Sequence, residues 1–259
     1  MPNLDAYGLI CAGDVFAERF FDDGTSTGLL FIGFFDSFKI TENAEMKKMK
    51  SKGRTTYGNV ARQIPLKGES TLAVSGKDLR ATNRAMALLG TVEPFSQEVG
   101  SDVVKTFDLS AITKDTYLDL GKYLVKTGSV SAVVGSTPYV LGEDYEVMLH
   151  SGKILVRSDG DIPDTGSLVV TFDHDAIAAT DATITKGGTQ SRIKVRWHFD
   201  GKNLDNGNHI IIDIPESDML PTDGVDFLTD DFSTFALEGA INVVAGQSQP
   251  YSFVEFPPA

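Results

Sequence analysis

The chain is poor in the residues that build metal sites and covalent chemistry. It has one cysteine, Cys11, so no internal disulfide can form and a reducing compartment is the expected setting. Its four histidines, His150, His174, His198 and His209, are scattered, and none stands at ligand spacing from another or from Cys11. They read as surface or strand-face residues. There is no glycine-rich phosphate loop before a helix, no nucleophile elbow and no zinc spacing. Asp159, Asp161 and Asp164 resemble part of a calcium loop but lack its terminal glutamate, so a solvated turn is the better reading. The adjacent pairs Asp22-Asp23 and Asp230-Asp231 also read as turn residues. Neither an enzyme nor a cofactor or metal is expected.

Long apolar runs are missing too. The longest, Leu29 to Phe35, is far below the ~20 residues a spanning helix needs, so no membrane role is expected. The N-terminal Met1-Pro2-Asn3-Leu4-Asp5 lacks the basic region of a signal peptide, which makes export by that route unexpected. Positive charge is scarce: 23 Lys and Arg face 36 Asp and Glu, for a net charge of −13. That balance argues against tight nucleic-acid binding, which needs clustered Lys and Arg.

The scarcity is uneven. Between Lys39 and Lys67 there are eight basic residues (Lys39, Lys47, Lys48, Lys50, Lys52, Arg54, Arg62, Lys67) against Glu42 and Glu45, for a net +6. From Gly201 onward only Lys202 stands against ten acids, for a net −9.

What the chain does have is strand and turn. Its 259 residues suffice for one large β-domain or two smaller ones, and 25 Gly with 10 Pro suit many turns. Asp14 to Phe21 and Gly28 to Ile40 read as two strands joined by a turn over residues 22–27. The second is apolar on both faces, so it is either buried on both or covered by a neighbouring chain. Thr41 to Gln63 reads as a long mobile loop with a frayed helix around Ala44 to Lys50; loops of this length tend to be functional or disordered. Ile64 to Val74 resumes strand.

One helix is expected, from Asp78 to Leu89. Asp78 is placed as its N-cap and Gly90 as its left-handed stop. Leu79, Thr82, Met86 and Leu89 form its apolar stripe, widened by Ala85 and Leu88, while Arg80, Asn83 and Arg84 lie off it. This stripe should pack on the chain's own core near the strand from Glu69 to Val74. Leu79→Ala or Leu89→Ala would then cost about 2–5 kcal/mol.

From Val103 to Asp175 short strands alternate with turns such as Ser151-Gly152, which suggests a small inserted β-sandwich of immunoglobulin size. The expected organisation is a first part over 1–102, the insert over 103–180 and a second part over 181–259. In that last part Ile193, Val195, Trp197 and Phe199 share one strand face, and Arg192, Lys194, Arg196 and His198 the other. Ile210, Ile212 and Ile214 return, an acidic loop is expected from Pro215 to Asp231, and a final strand follows from Phe235. The Pro- and aromatic-rich tail from Pro250 to Ala259 suits packing on a neighbour. The fold class is mainly β, with one flanking α-helix and an inserted β-sandwich.

Several of these features together resemble the major tail tube protein of a long, non-contractile-tailed phage. They are the early hairpin ending Phe34-Phe35-Asp36-Ser37-Phe38-Lys39-Ile40, the polar segment after it, and the step from Glu69 to Gly90. The hairpin Arg192 to Ile214 and the ending Asp230-Asp231-Phe232-Ser233-Thr234-Phe235-Ala236-Leu237-Glu238-Gly239 complete the set. The resemblance covers roughly Asp14 to Gly90 and Gly188 to Val244.

It implies a structural virion subunit with a β-sandwich or barrel fold. Six copies would form a ring whose inner strands join into one barrel, and rings would stack into a tube. Such a tube surrounds a tape-measure protein, meets tail-end proteins, and conducts DNA without specific binding. It would be assembled in the host bacterial cytoplasm and reside in the virion tail. An acidic lumen wall suits such a conduit, since it repels phosphate.

The charge asymmetry suggests an inter-ring or inter-subunit contact between Lys47, Lys48, Lys50, Lys52, Arg54 and Arg62 and the acids Asp223, Asp226, Asp230 and Asp231. The alternative is a β-sandwich adhesion module that recognises a carbohydrate or receptor. Further rivals are the ring protein of a contractile tail or secretion-system tube, and a hydrolase with an unrecognised site.

Overall fold

A computed structural model describes residues 8–258 of the chain. The N-terminal stretch considered for export and the last residue of the tail lie outside them. The chain divides into two compact units, Met1–Val92 with Thr185–Ala259, and Glu93–Ile184. Among the described residues the protein is mainly β with a single α-helix, and the ladders of its three larger sheets are antiparallel. The second unit begins ten residues before the expected 103 and ends four after 180. Short connecting strands at the two ends of the insert account for the difference.

In the first unit the strands are β1 (Cys11–Phe20), β2 (Leu30–Phe31), β3 (Phe35–Lys50) and β4 (Val60–Gly76). Helix α1 (Ala81–Ala87) and strand β5 (Thr91–Pro94) follow. The second unit carries β6 (Gly100–Asp108), β7 (Tyr117–Asp119), β8 (Ser131–Val134), β9 (Thr137–Tyr139), β10 (Tyr145–Met148), β11 (Lys153–Val156) and β12 (Ser167–His174). The chain returns through β13 (Thr183–Lys186), which pairs with β5, to β14 (Ile193–Asn203), β15 (His209–Pro221), β16 (Phe235–Ile241) and β17 (Ser252–Phe256).

One sheet organises the first unit, in the order β2-β1-β14-β15-β16-β4-β3, with β17 on the first half of β15. The alternation along β14 explains the centre of its core. Ile193, Val195, Trp197 and Phe199 are buried with Leu72, Val74, Ile210, Ile214, Met219, Phe235 and Leu237. Phe35 and Phe38 pack edge-on against Trp197, with ring centroids at 6.2 and 6.3 Å.

Four elements differ from the sequence reading. Gly28–Ile40 is not one strand. It breaks at Gly33, whose φ of 97° and contact with the Asp78 carboxylate admit no side chain. The break leaves Ile32 buried while Leu29, Leu30, Phe31 and Phe34 are exposed.

The segment 41–63 is not a loop, and no helix forms over 44–50. It belongs to a hairpin in which β3 and β4 stay paired out to Lys50 and Val60. Neither face of its outer half is buried within the chain, so the apolar and polar alternation that reveals a strand was absent.

The acidic loop does not start at Pro215. A bulge opposite Arg196, between the pairs Val195–Ser217 and Trp197–Ile214, absorbs that proline, and β15 runs on to Pro221. The loop is residues 222–234.

The helix is shorter than expected, Ala81–Ala87. Asp78 is not its N-cap: the flanking position is Arg80, with no side-chain cap, because the Asp78 carboxylate is held by the Arg80 guanidinium at 2.6 Å. The left-handed residue is Leu89, φ 48°, rather than Gly90. Gly90 instead lies so close to the Lys186 carbonyl that a Cβ would stand 2.2 Å from its oxygen.

Of the stripe, Met86 is buried, while Leu79 and Leu89 lie outside the helix and are only partly buried against the core. Asn83, expected off the stripe, is fully buried. The helix packs over β16 and β15 rather than chiefly over Glu69–Val74.

The second unit is a two-sheet sandwich, β6-β12-β8-β9 against β10-β11-β7, around Leu120, Tyr145, Ile154, Leu168, Val170 and Phe172. Its seven strands equal the count of an immunoglobulin domain but keep their own order, the last lying between the first and the third. Thus the segment's first and last strands run side by side.

Candidate functional site

The hairpin of β3 and β4 leaves the sheet at a defined place. Ile40 and Leu72 still touch the core, and Ser70 is buried, donating to both Glu42 carboxylate oxygens at 2.8 and 2.9 Å. Tyr251 also hydrogen-bonds Glu42, which pushes its phenol pKa up, with burial as a second cause. Immediately beyond, Glu42 pairs with Ser70 but Ala44 with Lys67, so β4 holds an extra residue at Gly68-Glu69. A Cβ on Gly68 would stand 1.7 Å from the Asn43 carbonyl oxygen, so only glycine fits this bulge.

From there a two-stranded ribbon runs out roughly 30 Å, taking about ten residues at strand rise. Its tip is tied by Ser51 N to Asn59 O (2.7 Å) and Gly58 N to Ser51 O (2.9 Å), and it presents Tyr57, 78 % exposed.

Direct cross-strand partners share a face. One face carries Met46 opposite Pro65 and Lys48 opposite Gln63. The other carries Glu45 opposite Leu66, Lys47 opposite Ile64, and Met49 opposite Arg62. Both faces therefore expose large apolar side chains among basic ones. An isolated two-stranded ribbon is marginal in water, and no other described element of the first unit covers this one.

The expected basic residues are brought together here: Lys47, Lys48 and Lys50 on β3, Lys52 and Arg54 at the tip, and Arg62 on β4. None has an ion-pair partner among the described residues.

The expected acids gather separately. Asp223, Asp226, Asp230 and Asp231 all lie exposed on the loop 222–234, again without an ion pair among the described residues. Three of them shape the loop by accepting nearby backbone N–H groups: Asp223 from Gly224, Asp226 from Leu228, and Asp231 from Phe232. The loop also holds Phe227, Phe232 and Leu228 out in solvent, the last 95 % exposed.

The structure does not bring these two groups together within one chain. The loop ends at Phe235, which pairs with Gly76 at one end of β4, whereas Arg62 stands fourteen residues away toward the other. At strand rise that is roughly 45 Å.

Elsewhere on the sheet, charges are matched. Arg192, just before β14, pairs with Asp218 at 3.3 Å, and Lys194 on its outward face with Glu216 at 2.8 Å. Arg196 lies 3.9 Å from both Glu18 and Asp213, and His198 Nδ1 2.8 Å from Asp213. Several of these residues line a cavity of about 1110 Å³ with Tyr251 and Gln247. Against that ladder, the unmatched ribbon and loop stand out.

Sequence reasoning missed several buried polar residues, Arg19 and Asn83 among them. Arg19 donates to the Gly90 carbonyl at 2.6 Å and to Gln190 at 3.0 Å, and desolvation lowers its pKa. Asn83 donates to the carbonyls of Ile32 (2.6 Å) and Asp78 (2.7 Å), holding the broken strand and the helix approach together. An Asn inside a helix, a position it disfavours, was the available signal. Among the described residues no group of three or more His, Cys, Asp or Glu is placed to hold a metal, and no helix is long and apolar enough to cross a membrane.

These features define a mainly β protein of two units, with one unpaired basic cluster on a ribbon and one unpaired acidic cluster on a loop. Over residues 9–250 the chain matches the family described as "Protein of unknown function UCP028589", and it belongs to that family. No curated protein matches it.

Proposed function

We propose that this protein is a structural, non-enzymatic subunit that assembles with copies of itself, as stacked hexameric rings, into the tail tube of a long, non-contractile-tailed phage. The observation that carries the reading is the ribbon of β3 and β4, which exposes Met46, Met49, Ile64 and Leu66 with no cover from its own chain. A neighbouring copy is the cover this reading supplies. The sequence resemblance to tail tube proteins adds the ring, the tube, and the tape-measure and tail-end partners; DNA passes through the lumen, and the tube sits in the virion tail after assembly in the host cytoplasm. The polar outward face of β14 and β15 suits a wetted wall, with its charges paired.

Negative-stain microscopy of the purified protein tests it. Rings or striated tubes are expected, and monomers dispersed at every concentration and ionic strength would overturn it.

A second reading, an adhesion module for a carbohydrate or receptor, is favoured by one feature. The second unit has a cleft of about 480 Å³ lined by Phe95, Tyr123, Leu124, Ile177 and Asp181, with the two aromatic rings edge to face at 5.4 Å. Saturable glycan binding lost in Tyr123→Ala, by a protein that stays monomeric, would establish that reading instead.

A further inference from the structure

We infer that the basic ribbon of one copy docks on the acidic, apolar loop 222–234 of the next, as the axial contact that makes the assembly grow in one direction. The inference rests on the self-assembly reading and names its two surfaces.

Three observations converge on a second copy as the occupant. The first is charge. Lys47, Lys48, Lys50, Lys52, Arg54 and Arg62 are exposed and unmatched on the ribbon, as are Asp223, Asp226, Asp230 and Asp231 on the loop. By contrast, charges on β14 and β15 pair with one another, Lys194 with Glu216 and the adjoining Arg192 with Asp218. No basic residue of the ribbon stands directly opposite an acid, and Lys47 and Arg62 are diagonal neighbours on one face, so the ribbon gains from an external acidic surface.

The second is apolar complement. Met46, Met49, Ile64 and Leu66 on the ribbon, and Phe227, Leu228 and Phe232 on the loop, are large side chains left in solvent beside those charges. Charge alone would give a screened, weak contact. Apolar burial inside a charged rim gives an interface that is both oriented and held.

The third is placement. Both surfaces belong to the first unit, at opposite ends of β4, roughly 45 Å apart along the strand. They cannot meet within a chain. Two different patches on one subunit make a head-to-tail contact, which repeats into a filament unless rotation closes it into a ring. Patches at opposite ends of the strand direction repeat along that direction. In a hexameric ring six such contacts form at once, which multiplies modest individual affinities.

The test uses two full-length variants. One carries Lys47→Glu, Lys48→Glu, Lys50→Glu and Lys52→Glu; the other carries Asp223→Lys, Asp226→Lys, Asp230→Lys and Asp231→Lys. All eight side chains are exposed, and circular dichroism checks that each variant is folded. Each variant alone then presents like charges at both ends, and its threshold concentration for elongated polymers should rise on the order of tenfold or more. Mixed one to one they should co-assemble, since the reversed ribbon of one matches the reversed loop of the other. Sedimentation velocity and microscopy read the result, and the recovery should weaken at ~1 M salt, where screening falls to ~3 Å.

Elongation of either variant at the wild-type threshold overturns the inference, as does failure of the folded mixture to co-assemble. Rings that stack regardless of these charges sink the axial contact but leave the self-assembly reading standing. A wild type that never leaves the monomer sinks both.

Discussion

Trp197 Nε1 donates a hydrogen bond of 2.9 Å to Ser217 Oγ in the middle of the first unit's core, where both residues are fully buried. Ser217 Oγ in turn donates to the Val195 carbonyl at 3.0 Å, beside the bulge that carries Pro215. Ser217→Ala would strand the buried indole N–H and remove one donor from that carbonyl. The expected loss is about 1–3 kcal/mol in chemical denaturation. Ser217→Thr, which keeps the hydroxyl, should lose less unless its added methyl overpacks the site. An unchanged midpoint in Ser217→Ala would show that the hydrogen bond adds nothing.

The helix predicts an order among three truncations. Met86 is buried under the sheet, so Met86→Ala should cost about 2–5 kcal/mol. Leu79 and Leu89 flank the helix and keep part of their surface in water, so each alanine variant should cost less than that. Leu89→Gly adds a second lever, because glycine relieves the left-handed backbone that Leu89 adopts at a φ of 48°. It should therefore be milder than Leu89→Ala. Thermal midpoints of the four variants, ranked together, check the whole order.

Gly68 separates the ribbon from the core. Gly68→Ala forces a methyl against the Asn43 carbonyl at the root of the ribbon, yet the nearest buried side chain is that of Ser70. The expected outcome is a displaced ribbon on a nearly intact subunit. Assembly should fall while the thermal midpoint moves by a few degrees at most. If midpoint and assembly fall together, the bulge is part of the folding core.

Asp78 gives the first unit an acid-sensitive element. Its hydrogen bonds and charge contact with Arg80 hold its pKa below the usual carboxylate value, the side-chain hydrogen bond being the largest cause. A carboxylate depressed on folding contributes stability that is present above its unfolded pKa of ~3.9 and is lost as pH falls through the lower folded value. The Arg80 side chain is 42 % exposed, so solvent screens the pair and the contribution is small. Asp78→Asn should flatten the stability curve below about pH 4 and leave its slope near pH 7 unaltered. Urea midpoints across that range measure it.

How far the sequence could be read depended on whether a residue's environment lay within the chain. The alternation of Ile193, Val195, Trp197 and Phe199 announced its strand because the core covers one face and water the other. The same contrast marked Leu168, Val170 and Phe172 in the second unit. Along Ala44 to Arg62 that contrast is absent, since both faces are exposed, and so a ribbon was read as a loop. Its charges and those of Asp223 to Asp231 were legible, but their separation along β4 follows from strand pairing, which periodicity does not reveal.

Pro215 misled in the opposite direction, because a bulge let the strand continue past a residue that normally ends one. Asn83 was set aside for its polarity; its amide is buried because two carbonyls wait for it there.

The second unit's outermost strands, β6 and β12, are neighbours in one sheet, and the two strands that lead to and from it, β5 and β13, pair with each other. The chain thus departs and returns at adjoining points, as it does around a cassette. Removing Glu93–Ile184 would leave ends that a short turn could join, with every ladder of the eight-stranded sheet kept in register. The module can therefore diverge, be exchanged or be lost on an evolutionary path of its own, while the first unit keeps the pairing rules it already has.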